Sequence, residues 1–445
     1  MAVCPLEFRY GRQKMKHIFS EETRLQYILD VEAALAEADA RLGIISSDHA
    51  SMIRKSANTK IVSLTRVRDL DSQINHEITA IVRTLAEQSG EGGKYVHLGA
   101  TSNDILDTSA ALQIRDALRI IIEGLLSLRN ALAELADKHR DTIMIGRTHG
   151  QFALPITFGL KMAIYSLEIH RHIERVHQLM HRICVGKMSG AVGTGAGLGP
   201  KALEIQKNVM DHLQIGIEEG PSQVVGRDRY VELVAVLANI ATSIEKIATE
   251  IRNLQRSEIS EVSEAFDVKR QVGSSTMAHK RNPVTAENIC SLARIVRGFM
   301  TPAFESAILW HERDLTNSAA ERFIIPHSFI ILDDILAKTD KLMRTLVVNK
   351  ERMRKNLESA GPTIMAESVI IRLVDKGMGR QEAHELLRTC AIECVDAGKD
   401  FKCTLKAENV ISQALCDDEI EEALRPESYL GTTGKTIDNI LAKYK

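Results

Sequence analysis

Long intervals without a helix breaker constrain this chain more than any other feature. Its 445 residues hold nine prolines, at positions 5, 155, 200, 221, 283, 302, 326, 362 and 426, which sit mainly at the edges of apolar segments. Between them the apolar residues keep a helical period. Leu118, the pair Ile121 and Ile122, Leu125, Leu128, Leu132 and Leu135 recur at three- and four-residue steps, and Val236, Ile240, Ile244, Ile247, Ile251 and Leu254 repeat the pattern. Strand alternation is absent from both runs. The second run predicts a helix over about 228–264, roughly 50 Å long at ~1.5 Å per residue, a length suited to packing along a bundle and against another subunit. The spacing therefore predicts an all-α chain with three helical regions: 1–108, a long-helix region 109–348, and a region of shorter helices 349–445 that includes 365–387 and 409–424.

Charge and composition exclude several functions. With 57 Lys+Arg against 59 Asp+Glu, interspersed, the chain has no basic footprint for nucleic acid or an anionic membrane surface. Its longest uncharged stretches, such as 233–244, fall short of the ~18 apolar residues that span a bilayer, and the N-terminus shows no apolar signal segment. A cytoplasmic protein is expected. Seven cysteines (4, 184, 290, 390, 394, 403 and 416) without paired short spacings fit reduced thiols, and Cys390 and Cys394 are expected as buried small apolar residues. His177 and His181 have i,i+4 spacing, but no HExxH-type carboxylate accompanies them, so no metal site is expected. Gly193, Gly195 and Gly197 lack the flanking strand and acidic residue of a dinucleotide loop, and no cofactor is implied.

Three polar segments carry the chemistry. GRTHGQFALPITFG (146–159) puts Arg147, Thr148 and His149 in an accessible loop ahead of an extended stretch through Pro155 and a helix from about Thr157. A histidine there can exchange a proton near neutrality, Arg147 can bind a carboxylate, and the competing reading is a loop histidine that caps a helix. VGSSTMAHKRNPVTAEN (272–288) gathers Gly273, Ser274, Ser275, His279, Lys280, Arg281 and Asn282, the composition of an anion-binding loop, and Pro283 then opens a helix at its positive end. WHERDLTNSAAERF (310–323) aligns Arg313, Ser318 and Arg322, which suit bidentate phosphate recognition. Taken alone, surface ion pairs among Glu312, Arg313, Asp314, Glu321 and Arg322 are the favoured reading of that third segment.

Together these three segments resemble the fumarase/aspartase superfamily, most closely its adenylosuccinate lyase branch. FRYGRQKM near the start, LGATSNDILDT (98–108), KMSGAVGT (187–194), QVVGRDRY (223–230) and EIRNLQRSEISEV (250–262) extend the resemblance over nearly the whole chain. The resemblance implies an all-α fold whose central long-helix bundle is completed by a homotetramer with shared active sites. It implies no cofactor, no metal, and a nucleotide substrate cleaved by anti β-elimination of fumarate. The substrates would be adenylosuccinate, giving AMP, and the related succinylcarboxamide imidazole ribotide.

By resemblance Ser274 is the general base and His149 the general acid, although residue chemistry alone would make His149 the base. Lys280 and Asn282 would hold the reacting carboxylate beside Ser275 and Arg281, with Thr148 next to the acid. Arg9 and Tyr10 fall near the nucleotide phosphate. Asn75, His76 and Glu77 fall near the reacting end, and Thr101 and Ser102 on a succinyl carboxylate with Gln223 nearby. Glu287, Asn288, Arg313, Ser318 and Arg322 complete the nucleotide side. Two departures stand out: the family usually has Asp where this chain has Glu77 and Pro where it has Ala278. Another superfamily member, such as a carboxymuconate-cycloisomerase-like enzyme, is the nearest rival, because the GSSxM loop is shared. A rival of another class is a catalytically dead structural homologue, of the crystallin kind; retention of Ser274, His149 and Lys280 argues against it.

Overall fold

The computed structural model describes residues 3–267, 276–277 and 279–444, and helix dominates them. In chain order the elements that matter to the site are α1 (Glu21–Arg41), α2 (Leu64–Ile74), α3 (Glu77–Gln88), α4 (Ser102–Lys138), β1 (Ile143–Thr148), β2 (Gln151–Thr157), α5 (Phe158–Ile183), α6 (Asp228–Leu254), β3 (Val262–Ser263), α7 (Val284–Gly298), α8 (Ser318–Thr345), β4 (Val347–Val348), α9 (Lys350–Ser359) and α10 (Arg380–Ala397). The apolar stripes read from the sequence are the buried faces of these helices. Leu118, Ile121, Leu125, Leu128 and Leu132 on α4, and Ile240, Ile244, Ile247 and Ile251 on α6, are all fully buried. At 37 residues α4 is about 55 Å long.

The chain divides into two compact units. Residues 1–126, 170–246 and 288–339 form the first, and 127–169, 247–287 and 340–445 the second. In the first unit Leu25, Ile28, Leu29 and Leu35 of α1 pack with Ile53, Leu85 of α3, Ile105 of α4 and Met210. In the second, a C-terminal core gathers Val369, Leu387, Phe401, Leu405 and Ile420, with Cys390 and Cys394 buried among them as small apolar groups.

Three features differ from the sequence expectation. α6 stops at Leu254 rather than continuing to about 264. The apolar period ends there, and the chain doubles back through Ser260 at φ 52°, so that the Glu261 N–H donates to the Leu254 carbonyl at 2.9 Å. Pro326 lies inside α8 instead of at a segment edge. Its ring nitrogen has no hydrogen for the carbonyl four residues earlier, that of Arg322. The third difference is the antiparallel hairpin β1–β2, paired from Ile143↔Thr157 to Thr148↔Gln151 with a register shift between Ile145 and Arg147. Gly146 occupies that irregularity because a Cβ there would sit 2.6 Å from the Leu154 carbonyl oxygen. Two further pairs of two-residue strands complete the sheet content among the described residues.

Candidate active site

In the second unit, His149 sits at the tip of the β1–β2 hairpin. The connection is the two-residue loop His149-Gly150, and both residues take positive φ, 54° and 75°. That is the signature of the hairpin turn whose twist matches its flanking strands. The tight turn holds the His149 backbone and leaves its imidazole exposed, with Thr148 beside it as the last residue of β1. Arg147, two residues away, does bind a carboxylate, but one of the chain's own. Its Nη2 and Nη1 donate to Glu261 at 2.7 and 3.0 Å, and Glu261 is fully buried. Asn356 donates to the same carboxylate at 2.8 Å, and the Asn349 N–H donates to the Glu261 carbonyl. Arg147 therefore ties the hairpin to the start of α9 rather than presenting a cation to a ligand.

Ser274, Ser275, Gly273 and Ala278 lie outside the described residues. The downstream part of that loop is described. Lys280, Arg281, Asn282 and Glu287 line a cleft of about 650 Å³ together with Arg252 of α6 and Arg256 just beyond it, a strongly cationic set. The Lys280 N–H closes a turn onto the Met277 carbonyl, and Gln255 donates to the Arg281 carbonyl at 3.2 Å. One sequence expectation is corrected here. The positive end of α7 is occupied by the chain itself, because the Glu264 carboxylate accepts from the Thr285 and Ala286 N–H groups at 3.1 and 2.8 Å. The start of α7 is therefore not open to an outside anion, and the positive charge of the cleft is carried by Lys280, Arg281, Arg252 and Arg256.

In the first unit, Glu77, Arg313, Ser318 and Arg322 line a cavity of about 420 Å³, to which α1 adds Arg24 and the N-terminus of α6 is preceded by Arg227. The charges there are unevenly committed. Arg227 is almost fully buried and grips Asp107 with Nη1 and Nη2 at 2.8 and 2.9 Å, while its Nε donates to Glu321 at 2.9 Å. Burial alone would lower the Arg227 pKa, yet the neighbouring carboxylates hold it well above its ordinary value. Burial raises the Glu321 carboxyl despite that partner. The surface ion pairs expected for Glu321 are therefore an interior network.

Glu77 is bridged by Arg24 and by Arg322, whose Nη2 donates to it at 3.1 Å. Burial pushes the Glu77 carboxyl up, but hydrogen bonds and charge from the two guanidiniums outweigh it and hold the group below its ordinary value. Arg313 differs from its neighbours. Among the described residues its partners are amides: Nη1 donates to Gln223 Oε1 at 3.0 Å, and Nε reaches Asn103 Oδ1 at 3.2 Å with that amide turned to match. Burial lowers its pKa, and the adjacent Arg227 adds to that despite Asp107 and Glu321. Gln223, read as substrate-binding, is held at both ends, since its Nε2 donates to the Ala191 carbonyl at 2.8 Å.

The remaining expected residues of this unit lie outside that cavity's lining. His76 caps α3, its Nδ1 accepting from the Thr79 N–H at 3.2 Å, and the residue is exposed. Asn75 closes α2 in a left-handed conformation at φ 51°. Tyr10 and Asn288 meet through Lys338, which lies 4.9 Å over the Tyr10 ring and donates to Asn288 Oδ1 at 2.7 Å. Arg9 is exposed nearby in sequence. Thr101 and Ser102 form the entry to α4. Residues without a role in the sequence argument prove central to the geometry: Asp104, Asp107, Lys187 and Arg227 all sit inside motif strings quoted above, whereas Arg24 carried no local signal.

Comparison with known proteins adds independent findings. Residues 7–298 match the family described as Lyase, and residues 362–440 match the family described as Adenylosuccinate lyase C-terminus. The chain is 48% identical over 441 residues to an adenylosuccinate lyase of Pyrococcus abyssi, covering 99% of this chain and 98% of that protein. It is 47% identical over 442 residues to one from Methanothermobacter thermautotrophicus, with the same coverages of 99% and 98%. Among solved structures, a fumarate lyase from Mesorhizobium sp. BNC1 superposes with a TM-score of 0.88 at 34% identity, covering 97% of this chain and 98% of that one. A 3-carboxy-cis,cis-muconate lactonizing enzyme from Pseudomonas putida gives a TM-score of 0.87 at 32% identity, covering 98% and 97%.

Proposed function

Because the chain belongs to the adenylosuccinate lyase family and is a carbon–nitrogen lyase, we propose that it eliminates fumarate from adenylosuccinate to leave AMP, and likewise from the related succinylcarboxamide imidazole ribotide. One observation carries the nucleotide half of this reading. In the cavity lined by Arg24, Arg227, Arg313 and Arg322, Arg313 alone among the four has no carboxylate partner within the described residues. A half-buried guanidinium whose hydrogen bonds go only to neutral amides is poised for an external anion, and a phosphomonoester supplies the oxygens that its planar fork matches. Ser318, at the first turn of α8, adds a hydroxyl to the same cavity. A substrate with only the two succinyl carboxylates has no use for this second cationic pocket, which favours one that also carries a phosphate.

At the reacting end, removal of the proton on the carbon next to a carboxylate makes a dianionic aci-carboxylate, so cations and N–H donors must supply most of the stabilisation. Lys280 and Asn282 fill that role, with Arg281 and Glu287 in the same cleft. Ser274 removes the proton, and His149 delivers one to the departing purine nitrogen from the opposite face, as anti elimination requires. A hydroxyl base demands that its alkoxide be stabilised, and Lys280, six residues further along the same loop, is the cation assigned that task. The exposed, turn-held imidazole of His149 suits a proton donor that must meet a substrate arriving from solvent. Each active site is completed by neighbouring chains in a homotetramer, and neither metal nor cofactor takes part. No helix among the described residues is long and apolar enough to cross a membrane, in keeping with a cytoplasmic reaction.

The test is a spectrophotometric assay of purified protein with adenylosuccinate, with fumarate identified as the second product. His149→Gln and Ser274→Ala are each expected to lower turnover by ~10²-fold or more while leaving the assembly intact. Near-normal turnover in either variant refutes that residue's role. No turnover by the unaltered, folded protein refutes the substrate.

A further inference from the structure

Asp104 lies on the first turn of α4 and is fully buried against an equally buried Lys187, whose Nζ donates to Oδ1 at 2.5 Å. Three backbone N–H groups converge on the same carboxylate. Ser189 donates to Oδ1 at 2.9 Å, and Gly190 and Thr101 donate to Oδ2 at 3.0 and 2.8 Å. One side chain thereby fixes two separate stretches of backbone, Thr101 at the entry to α4 and Ser189–Gly190 in the KMSGAVGT segment. The two stretches are in close touch. A Cβ on Gly99 would lie 2.5 Å from the Gly197 carbonyl oxygen, so only a glycine allows the loops to approach this far. Thr108 adds a reciprocal link, its hydroxyl lying 3.1 Å from both the N–H and the carbonyl of Lys187.

We propose that Asp104 is a positioning residue for the succinyl half of the substrate. Its carboxylate sets Thr101 and Ser102 against the 189–190 backbone, and Lys187 supplies the counter-charge that lets a carboxylate sit where no water reaches. The inference rests on the assignment of Thr101 and Ser102 to a succinyl carboxylate. Chemistry makes the role specific to a carboxylate: all four partners are donors, so an acceptor-only group is required. In Asp104→Asn the amide NH₂ must face either the Thr101 and Gly190 N–H groups or Lys187 and the Ser189 N–H, and two bonds are lost in either orientation. The longer Asp104→Glu keeps the pairing with Lys187 but displaces the loops.

The reverse reaction separates positioning from general damage, because fumarate carries only the succinyl carboxylates and AMP carries only the nucleotide. For Asp104→Asn, KM for fumarate is expected to rise about tenfold or more, since small misplacements of binding groups are costly, while KM for AMP stays within about twofold. Asp104→Glu, which retains the buried ion pair and so the fold, is expected to shift the fumarate constant in the same direction. Equal weakening of fumarate and AMP, or no change in fumarate binding by folded variants, overturns the proposal. Thr101→Val and Ser102→Ala test the underlying assignment independently. If they leave fumarate binding intact, that assignment fails; if they weaken it and Asp104→Glu does not, the positioning role alone fails.

Discussion

Arg313 and Arg227 line the same cavity, and their different partners make opposite outcomes for Arg→Met substitution. Arg313 donates to two neutral amides, so its loss leaves no carboxylate without a counter-ion. Removing a guanidinium whose pKa burial already lowers, next to the Arg227 charge, offsets the lost amide bonds, and stability is expected to change by no more than about 1 kcal/mol. Binding is a different matter. A hydrogen bond to a charged group is worth roughly 1.5–3 kcal/mol, so loss of one phosphate contact raises KM for adenylosuccinate, and for AMP in the reverse direction, by about 10- to 100-fold.

Arg227→Met strands two partners, Asp107 and Glu321, in the interior. Breaking a buried pair in this way destabilises by about 3–5 kcal/mol. Melting temperature by calorimetry, at one protein concentration for all variants, and steady-state kinetics in both directions measure the two effects. Arg227→Met should melt several degrees lower; Arg313→Met should melt close to the unaltered protein while losing affinity for the nucleotide. An Arg313→Met variant that melts as low as Arg227→Met, or that binds AMP normally, refutes the assignment of Arg313 as the open cation.

Three further outcomes follow from the geometry. Asp39 is buried on α1 with Oδ2 unpartnered among the described residues, and burial raises its carboxyl to about 6. The folded-state pKa exceeds the unfolded one, so the contribution of this group to stability is fully present below pH ~4 and is lost as pH rises through about 6; Asp39→Asn should remove that loss and raise the melting temperature at pH 8, by up to about 3 kcal/mol in stability, but not at pH 4. Glu77→Asp, one methylene shorter, should keep the pairing with Arg24 yet release Arg322, visible as a change in KM for AMP with little change in turnover; unaltered nucleotide binding would count against the bridge. At the hairpin tip, His149→Asn should abolish most turnover while preserving the melting temperature, because Asn tolerates positive φ, whereas His149→Val should lose both, with strain of about 1–2 kcal/mol. Equal melting of the two His149 variants would contradict the turn assignment.

Much of the candidate site was legible because its residue types are unusual in their setting. Two arginines and a serine within 313–322, and a Lys-Arg-Asn run before Pro283, stand out in any helical chain. What a linear string does not encode is which charges neutralise which. Arg147 looked free to bind a ligand and instead holds Glu261, 114 residues away. Glu264 looked unremarkable and takes the α7 helix end that seemed open to substrate. Arg24 had no motif around it and yet shares Glu77 with Arg322.

The long apolar stripes were enough to determine a mostly helical chain, since a 3.6-residue period sustained over five turns has only one regular structure that can bury it. Short elements escaped: the β1–β2 hairpin is seven residues or fewer per strand, and its strongest local mark, His149-Gly150, is a turn dipeptide with histidine where asparagine is commoner. The end of α6 at Leu254 was likewise missed, because the turn at Ser260 that folds Glu261 back onto the Leu254 carbonyl leaves no mark in the string. Periodicity is a property of neighbours along the chain, so the sequence by itself determined helix, burial and the inventory of reactive groups. Pairing of charges depends on distances across the fold, so only the tertiary structure decided which arginines are spent on the protein's own carboxylates and which, like Arg313, hydrogen-bond only to amides.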